Sequence, residues 1–89
     1  YGVFGGATVE WAKLSFAPER ARWVAHESWH PDQRGRIEPD GRFVLEIPYA
    51  DSRELLMDIL KYGADIEVLA PPSLRQAVAE EARRMAARP

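Results

Sequence analysis

Two histidines and an aspartate come closest to a metal-binding pattern in this sequence of 89 residues. His26 and His30 are four residues apart and Asp32 follows closely, so a continuous helix would turn both imidazoles toward one ion. Pro31 argues against such a helix, because proline lacks the backbone N–H and its ring clashes with the preceding turn. We therefore predict no metal site and interpret the two histidines as residues that cap or pack a loop.

Residues suited to nucleophilic or acid–base catalysis lack the patterns that those reactions need. None of the serines lies in a Gly-x-Ser-x-Gly elbow, and the glycines of residues 2–6 are not followed by the Lys-Ser/Thr pair of a phosphate loop. Asp51, Glu54 and Asp58 share one side of a predicted helix, where capping and solvation explain them. An acylphosphatase-like hydrolase needs a water-positioning asparagine, and the sequence contains none. The sequence thus predicts no enzyme and no cofactor.

Basic and aromatic residues are mixed through the first half of the sequence. Such a mixture can bind a single strand of nucleic acid by stacking and phosphate contacts, and ordinary packing of the tryptophans is the alternative. An RNA-recognition motif does not fit, because the third predicted strand carries Val44 and Glu46 where that motif needs aromatic residues. The residues concerned are Arg20, Arg22, Trp23, Trp29, His30, Arg34, Arg36 and Arg42.

Length and composition limit the chain to one globular domain. It is too short for two hydrophobic cores, and its 46% hydrophobic and 29% charged residues are ordinary values. The net charge of −2 gives no general attraction for nucleic acid, and the lack of cysteine excludes disulfides and the common zinc sites. No apolar run approaches the roughly 20 residues that span a bilayer. We expect residues 1–6 to be a linker stub and 7–89 to be a domain of a larger protein.

Hydrophobic periodicity predicts four strands and three helices. Alternation indicates strands over 7–16, 34–38, 42–49 and 64–70, with a turn at 39–41 joining the middle pair. Helical spacing and end signals indicate a helix from Pro18 to about His26 or Ser28, a second from the Asp51 cap to Gly63, and a third from a Ser73 cap to Ala87. The predicted apolar stripes are Ala21, Val24 and Ala25 on the first helix and Leu74, Val78 and Met85 on the last.

This order of elements predicts an α+β, ferredoxin-like βαββαβ fold. Two helices would cover one face of a four-stranded antiparallel sheet, and a C-terminal helix would follow. The other sheet face would then carry four apolar residues, which are Val9, Trp11, Val44 and Leu69. Exposed apolar surface of this kind marks a contact site, so we expect the last helix or a partner protein to cover it.

Five short motifs occur in an order that resembles a known family. They are Ala-Arg-Trp-Val at 21–24, Trp-His-Pro-Asp-Gln at 29–33, Pro-Asp-Gly-Arg-Phe at 39–43, Ile-Pro-Tyr at 47–49 and Val-Leu-Ala-Pro-Pro-Ser-Leu-Arg at 68–75. Together they resemble the C-terminal extension domain, called WCX, of WYL-domain transcriptional regulators. The resemblance covers roughly residues 8–88.

The resemblance implies a bacterial, cytoplasmic transcription regulator. Such a protein binds duplex DNA through a winged helix-turn-helix outside this sequence and responds through its WYL domain to a nucleic acid or another ligand. The extension would help in dimerisation and sensing. A ferredoxin-like small-molecule sensor without nucleic-acid contact is the alternative. The implied ligand-contacting candidates are Trp29, His30, Gln33 and Arg34 in one loop, with Arg36 and Arg42 on the adjoining hairpin.

Overall fold

The computed structural model describes residues 10–87. Val9 and the predicted start of the first strand at Ala7 lie outside the described residues. None of the helices within 10–87 has the length and apolarity needed to cross a bilayer. In chain order the elements are β1 (Glu10–Phe16), α1 (Pro18–Val24), β2 (Arg34–Ile37), β3 (Phe43–Tyr49), α2 (Ser52–Leu60), a 3-10 turn (Gly63–Asp65), β4 (Ile66–Ala70) and α3 (Pro72–Ala86).

The four strands form one antiparallel sheet in the order β2-β3-β1-β4. β1 pairs with β3 along its whole length, and it pairs with β4 on its other side with a register shift between Lys13 and Leu14. Gly41 turns the β2–β3 hairpin at a φ of 93°, which glycine adopts without the strain that a Cβ atom would bring. The predicted ferredoxin-like arrangement is confirmed.

The hydrophobic core lies between one face of this sheet and the helices. Alternate residues of a strand point to the same face, so the two central strands supply most of the core. Side chains from all three helices meet those strand residues in a single cluster, which places all three helices on the same side of the sheet. The cluster contains Ala12, Leu14 and Phe16 of β1, Phe43, Leu45 and Ile47 of β3, Ala21 and Val24 of α1, Leu55 and Ile59 of α2, Val68 of β4 and Leu74 of α3.

Helix α1 is shorter than its sequence pattern predicted. It ends at Val24 rather than at His26 or Ser28, and Ala25 is exposed instead of belonging to the buried stripe. The N–H groups of His26 and Glu27 bond to carbonyls three residues back, at 3.3 and 2.9 Å. Bonds of this spacing tighten the last turn and end the α-helix.

Helix α2 begins as predicted but ends at Leu60, three residues before the predicted terminator Gly63. The Asp51 carboxylate accepts hydrogen bonds from the N–H groups of Arg53 (3.0 Å) and Glu54 (3.4 Å), which caps the helix. Gly63 follows at a φ of 57°, the left-handed conformation expected of a terminating glycine. Because Gly63–Asp65 forms a 3-10 turn, β4 begins at Ile66 and not at the predicted Ala64.

Helix α3 lies beside α2 and β4 and does not cover the opposite face of the sheet. Its first turn buries Leu74 in the core, and Val78 packs against the core from the next turn. Of the two coverings expected for that opposite face, the last helix is therefore wrong, and a partner protein stays a prediction. The helix starts at Pro72, whose missing N–H is harmless in a first turn, and the predicted cap Ser73 is already helical. Met85, predicted to be in the buried stripe, is 57% exposed.

Candidate functional site

The structure separates the six predicted ligand-contacting residues into two groups. Three lie in the α1–β2 loop at one end of the core, on the helix side of the sheet. The other three point from the β2–β3 hairpin to the opposite face, which we call the outer face. Strand register sets this second placement, because Arg34 and Arg36 are opposite Glu46 and Val44 and share their face. The loop group is Trp29, His30 and Gln33, and the outer-face group is Arg34, Arg36 and Arg42.

The polar side chains of the loop group are used within the loop itself. The Gln33 amide oxygen accepts hydrogen bonds from the backbone N–H groups of Trp29 and His30, the latter at 3.0 Å. The Gln33 amide nitrogen donates to the Glu27 carbonyl at 3.1 Å. His30 Nδ1 accepts from the Asp32 N–H at 3.0 Å. These bonds satisfy the backbone of a turn that Pro31 keeps out of a helix, as the loop interpretation of His30 predicted.

Trp29 closes one end of the hydrophobic core as part of an aromatic cluster. Its ring stacks on Tyr62 with centroids 5.7 Å apart and meets the edge of Phe16 at 5.8 Å. Phe16 and Tyr62 are themselves in edge contact at 5.3 Å. Such geometries add to the stabilisation from burial. Sequence spacing gave no sign of this cluster, since its members come from β1, the α1–β2 loop and the segment after α2.

Tyr62 connects the cluster to the loop through its hydroxyl group. The hydroxyl donates a hydrogen bond of 2.6 Å to the Glu27 carboxylate. Burial raises the pKa of Tyr62 to about 12, and the bond to Glu27 contributes in the same direction because ionisation would break it. Burial, and then the charge of Glu10, also raises the pKa of Tyr49.

Two small clefts flank Trp29. One, of about 230 Å³, lies toward Tyr62 and Lys61, and the other, of about 200 Å³, lies toward His30 and the first turns of α2. Asp58 lines both clefts, with Glu27 at the first and Asp51 and Glu54 at the second. Both are smaller than the roughly 300 to 1,000 Å³ usual for ligands of drug size. Their carboxylates give them the wrong charge for a phosphate.

The outer face carries a tryptophan and several arginines that already have partners within the chain. The guanidinium carbon of Arg34 lies 5.2 Å from the centre of the Trp11 ring, a cation–π contact. Arg42 Nε donates to Ser15 Oγ at 2.6 Å, and its terminal nitrogen is 3.8 Å from the Glu67 carboxylate. Arg36 forms an ion pair with Glu38.

The apolar residues predicted to share the outer face differ in exposure. Val44 is only 5% exposed and Ser15 is 4% exposed, although no described helix lies over them. Ser15 is opposite Val44 across the strand pair, and Arg36 is opposite Val44 on its other side, so long neighbouring side chains cover the middle of the face. Trp11 and Leu69 remain 44% and 40% exposed. Within residues 10–87, these two residues are the accessible apolar part of the predicted partner surface.

One further concave surface was missed by the sequence patterns. An apolar groove of about 570 Å³ runs between α3, β4 and the end of α2. Ile66, Val78 and Met85 line it, because α3 contacts the core at its first turns only. The sequence correctly predicted an apolar stripe on α3, but periodicity cannot show that no element among residues 10–87 covers the second half of that stripe.

The strands and helices define a small α+β domain built on a ferredoxin-like sheet. The WCX domain family model matches residues 8–86. The chain therefore belongs to the WCX domain family, whose members are regulatory domains of WYL-containing proteins. This match confirms the resemblance found in the sequence motifs. A comparison with the curated proteins found no significant match.

Proposed function

We propose that this domain is the regulatory and oligomerisation module of a cytoplasmic WYL-type DNA-binding transcription regulator, and that it acts through protein contacts. The observation that carries the proposal is the outer face, where Trp11 and Leu69 are partly exposed beside the arginines. Tryptophan and arginine are the residues most enriched at the energetic centres of protein interfaces. Duplex DNA would be bound by another domain of the regulator.

The charges of the outer face favour a protein over a polyanion as its partner. The three arginines are engaged with Trp11, Glu38, and the pair Ser15 and Glu67. A nucleic-acid backbone gains affinity when free cations neutralise its phosphates. Here phosphates would have to displace the carboxylates that already hold Arg36 and Arg42, and those carboxylates would repel them. Mixed charge around an exposed aromatic residue matches the composition of a protein interface.

Hydroxyl-radical footprinting read by mass spectrometry tests this proposal. We expect the oxidation of Trp11 to fall severalfold in the regulator that carries the domain compared with the isolated domain, because the partner excludes solvent from the outer face. Trp23 is the matched control, since it is 63% exposed on α1 at the other side of the sheet. Equal oxidation of Trp11 in both proteins would contradict the proposal.

A single strand of nucleic acid is the second candidate for this face, favoured by the cationic side chains that share it. Fluorescence anisotropy with short oligonucleotides over a salt series tests it, because phosphate contacts make affinity fall steeply with salt. Binding that Arg34→Ala and Arg42→Ala weaken, and that the loop variant His30→Ala does not, would support sensing through this face. An absence of binding by the isolated domain and by the regulator would leave the protein-contact function.

A further inference from the structure

The free edge of strand β2 has features that fit a second copy of itself. Among residues 10–87, β2 is terminal in the sheet order and pairs only with β3. All four of its residues are exposed. A terminal strand presents unpaired backbone N–H and C=O groups that can extend the sheet into another chain.

The hydrogen bonds of the hairpin show which groups of β2 point outward. The Glu38 N–H donates to the Arg42 carbonyl at 2.7 Å, so this pair is a hydrogen-bonded one. Hydrogen-bonded pairs alternate with non-hydrogen-bonded pairs along an antiparallel ladder. The backbone groups of Arg36 therefore point toward β3, and those of Gly35 and Ile37 point to the free edge.

We propose that two copies of this domain associate through antiparallel pairing of their β2 strands about a two-fold axis at Arg36. In this register Gly35 of one copy is opposite Ile37 of the other, and each such pair exchanges both of its backbone hydrogen bonds. The N–H and C=O groups that point outward from one strand would therefore bond to the C=O and N–H groups that point outward from the other. The inference rests on the oligomerisation role proposed above, but it does not use Trp11 or Leu69, the partly exposed apolar residues of the outer face.

Side-chain shape favours this register on the helix side of the sheet. Ile37 is 56% exposed, although it points to the same side as the core. Gly35 has no side chain, and the Phe43 ring fills the space over it so closely that a Cβ atom there would lie 2.8 Å from Cε1 of the ring. In the pair, Ile37 of the second copy would cover Gly35 and the edge of that ring.

Charge favours the same register on the outer face. Arg34 of each copy would lie opposite Glu38 of the other, which makes an opposite-charge cross-strand pair at each end. The two Arg36 side chains meet at the axis, and each has the Glu38 carboxylate of its own chain as a counter-charge. Short charged edge strands usually discourage pairing. Here an antiparallel second copy of Arg-Gly-Arg-Ile-Glu would place an arginine opposite a glutamate at each end, so the charges attract.

Charge reversal tests the pairing by sedimentation velocity at concentrations up to about 1 mM, since so small a contact should be weak. Arg34→Glu places two carboxylates opposite each other at both ends, and we expect it to raise the dissociation constant about tenfold. Arg34→Glu combined with Glu38→Arg should restore association. Within one strand these two residues are four apart and do not meet, so rescue is specific to the contact between copies. Arg53→Glu on α2 is the charge-matched control.

Amide hydrogen exchange supplies an independent readout. The N–H groups of Gly35 and Ile37 should become protected as the concentration rises, while that of Arg36 is already bonded to β3 and should not change. A chain that stays monomeric over the whole range, or a dimer in which these two amides exchange at an unchanged rate, would overturn the inference. Protection of the two amides only in the complete regulator would mean that the edge receives a strand other than its own copy. Equal oxidation of Trp11 in the isolated domain and in the regulator would contradict the outer-face proposal, and it would leave the β2 pairing unaffected.

Discussion

Individual polar side chains in this domain mostly fasten one part of the chain to another. Gln33 holds the α1–β2 loop through three backbone groups, Arg42 joins the start of β3 to β1 and β4, and Arg20 joins α1 to the 3-10 turn through Asp65. A side chain that already has a partner must lose that bond before it contacts a ligand. This is why we assign regulatory contact to the exposed Trp11 and Leu69 before the predicted polar residues.

The raised pKa of Tyr62 predicts a loss of stability at alkaline pH. In the unfolded chain this hydroxyl ionises near 10.0, and in the folded domain at about 12. The protonated hydroxyl is therefore favoured by folding, so its contribution is fully present below pH 10 and is lost as the pH rises through about 12. Tyr62→Phe removes the ionisable group, and the free energy of unfolding should then decline less steeply over this range.

Urea unfolding at a series of pH values measures this effect. Tyr49→Phe is the matched control, because burial raises the pKa of Tyr49 as well but its hydroxyl is not bonded to Glu27. The control should alter the decline less than Tyr62→Phe does. If Tyr62→Phe and the wild-type domain show the same dependence on pH, the hydroxyl does not keep its bond to Glu27 in solution.

At the scale of elements, Gly63 determines how α2 leads into β4. Its φ of 57° lies in the left-handed region, where a β-branched residue is strained. We expect Gly63→Val to lower the free energy of unfolding by about 1 kcal/mol or more. No atom lies within 4 Å of the position where a Cβ would stand, so the effect comes from the backbone and not from a clash. The midpoint of thermal or urea unfolding measures it.

Ala64→Val provides the control for that variant. It introduces the same side chain at the next position, which is exposed and has no positive φ. Its unfolding midpoint should remain close to that of the wild-type domain. An unchanged midpoint for Gly63→Val would mean that the chain after α2 does not depend on the left-handed conformation of residue 63.

At the scale of the whole molecule, Trp29 links the α1–β2 loop to the sheet and to the segment after α2. Its contacts with Phe16 and Tyr62 predict that Trp29→Ala lowers the free energy of unfolding by about 2 to 3 kcal/mol, below the usual cost for a fully buried tryptophan because Trp29 is only partly buried. Trp23→Ala on α1 should have little effect, since Trp23 is 63% exposed. If Trp29→Ala leaves the stability unchanged, Trp29 is not needed for packing and becomes a ligand-contacting candidate again. Chemical denaturation of the two variants measures the difference.

The α+β class, the order of elements and the sheet topology could be predicted because each depends on local patterns. Alternation in β1 and β3, the Asp51 cap, and the glycines at 41 and 63 all act over a few residues, and the right-handed crossover rule leaves few topologies for that order. The errors fell at element ends. The end of α1 and the start of β4 are set by tight turns of hydrogen bonds, which apolar spacing does not encode.

The candidate site could be predicted only as a set of residues. The sequence grouped Trp29, His30 and Gln33 with the arginines that follow, because they are neighbours along the chain. Strand direction separates them, since β2 carries Arg34 and Arg36 to the outer face while the loop folds back onto the core. Residues next to each other in sequence thus face opposite sides of the sheet.

The sequence by itself determined the family, the fold class and the two sheet faces, since these follow from residue type and spacing at short range. Only the tertiary structure decided which side chains are accessible. It joined Trp29 with Phe16 and Tyr62, covered Val44 with its cross-strand neighbours, and placed α3 beside α2, leaving the outer face without a covering helix among residues 10–87. Accessibility depends on contacts between residues far apart in the chain, and such contacts form only when the elements pack together.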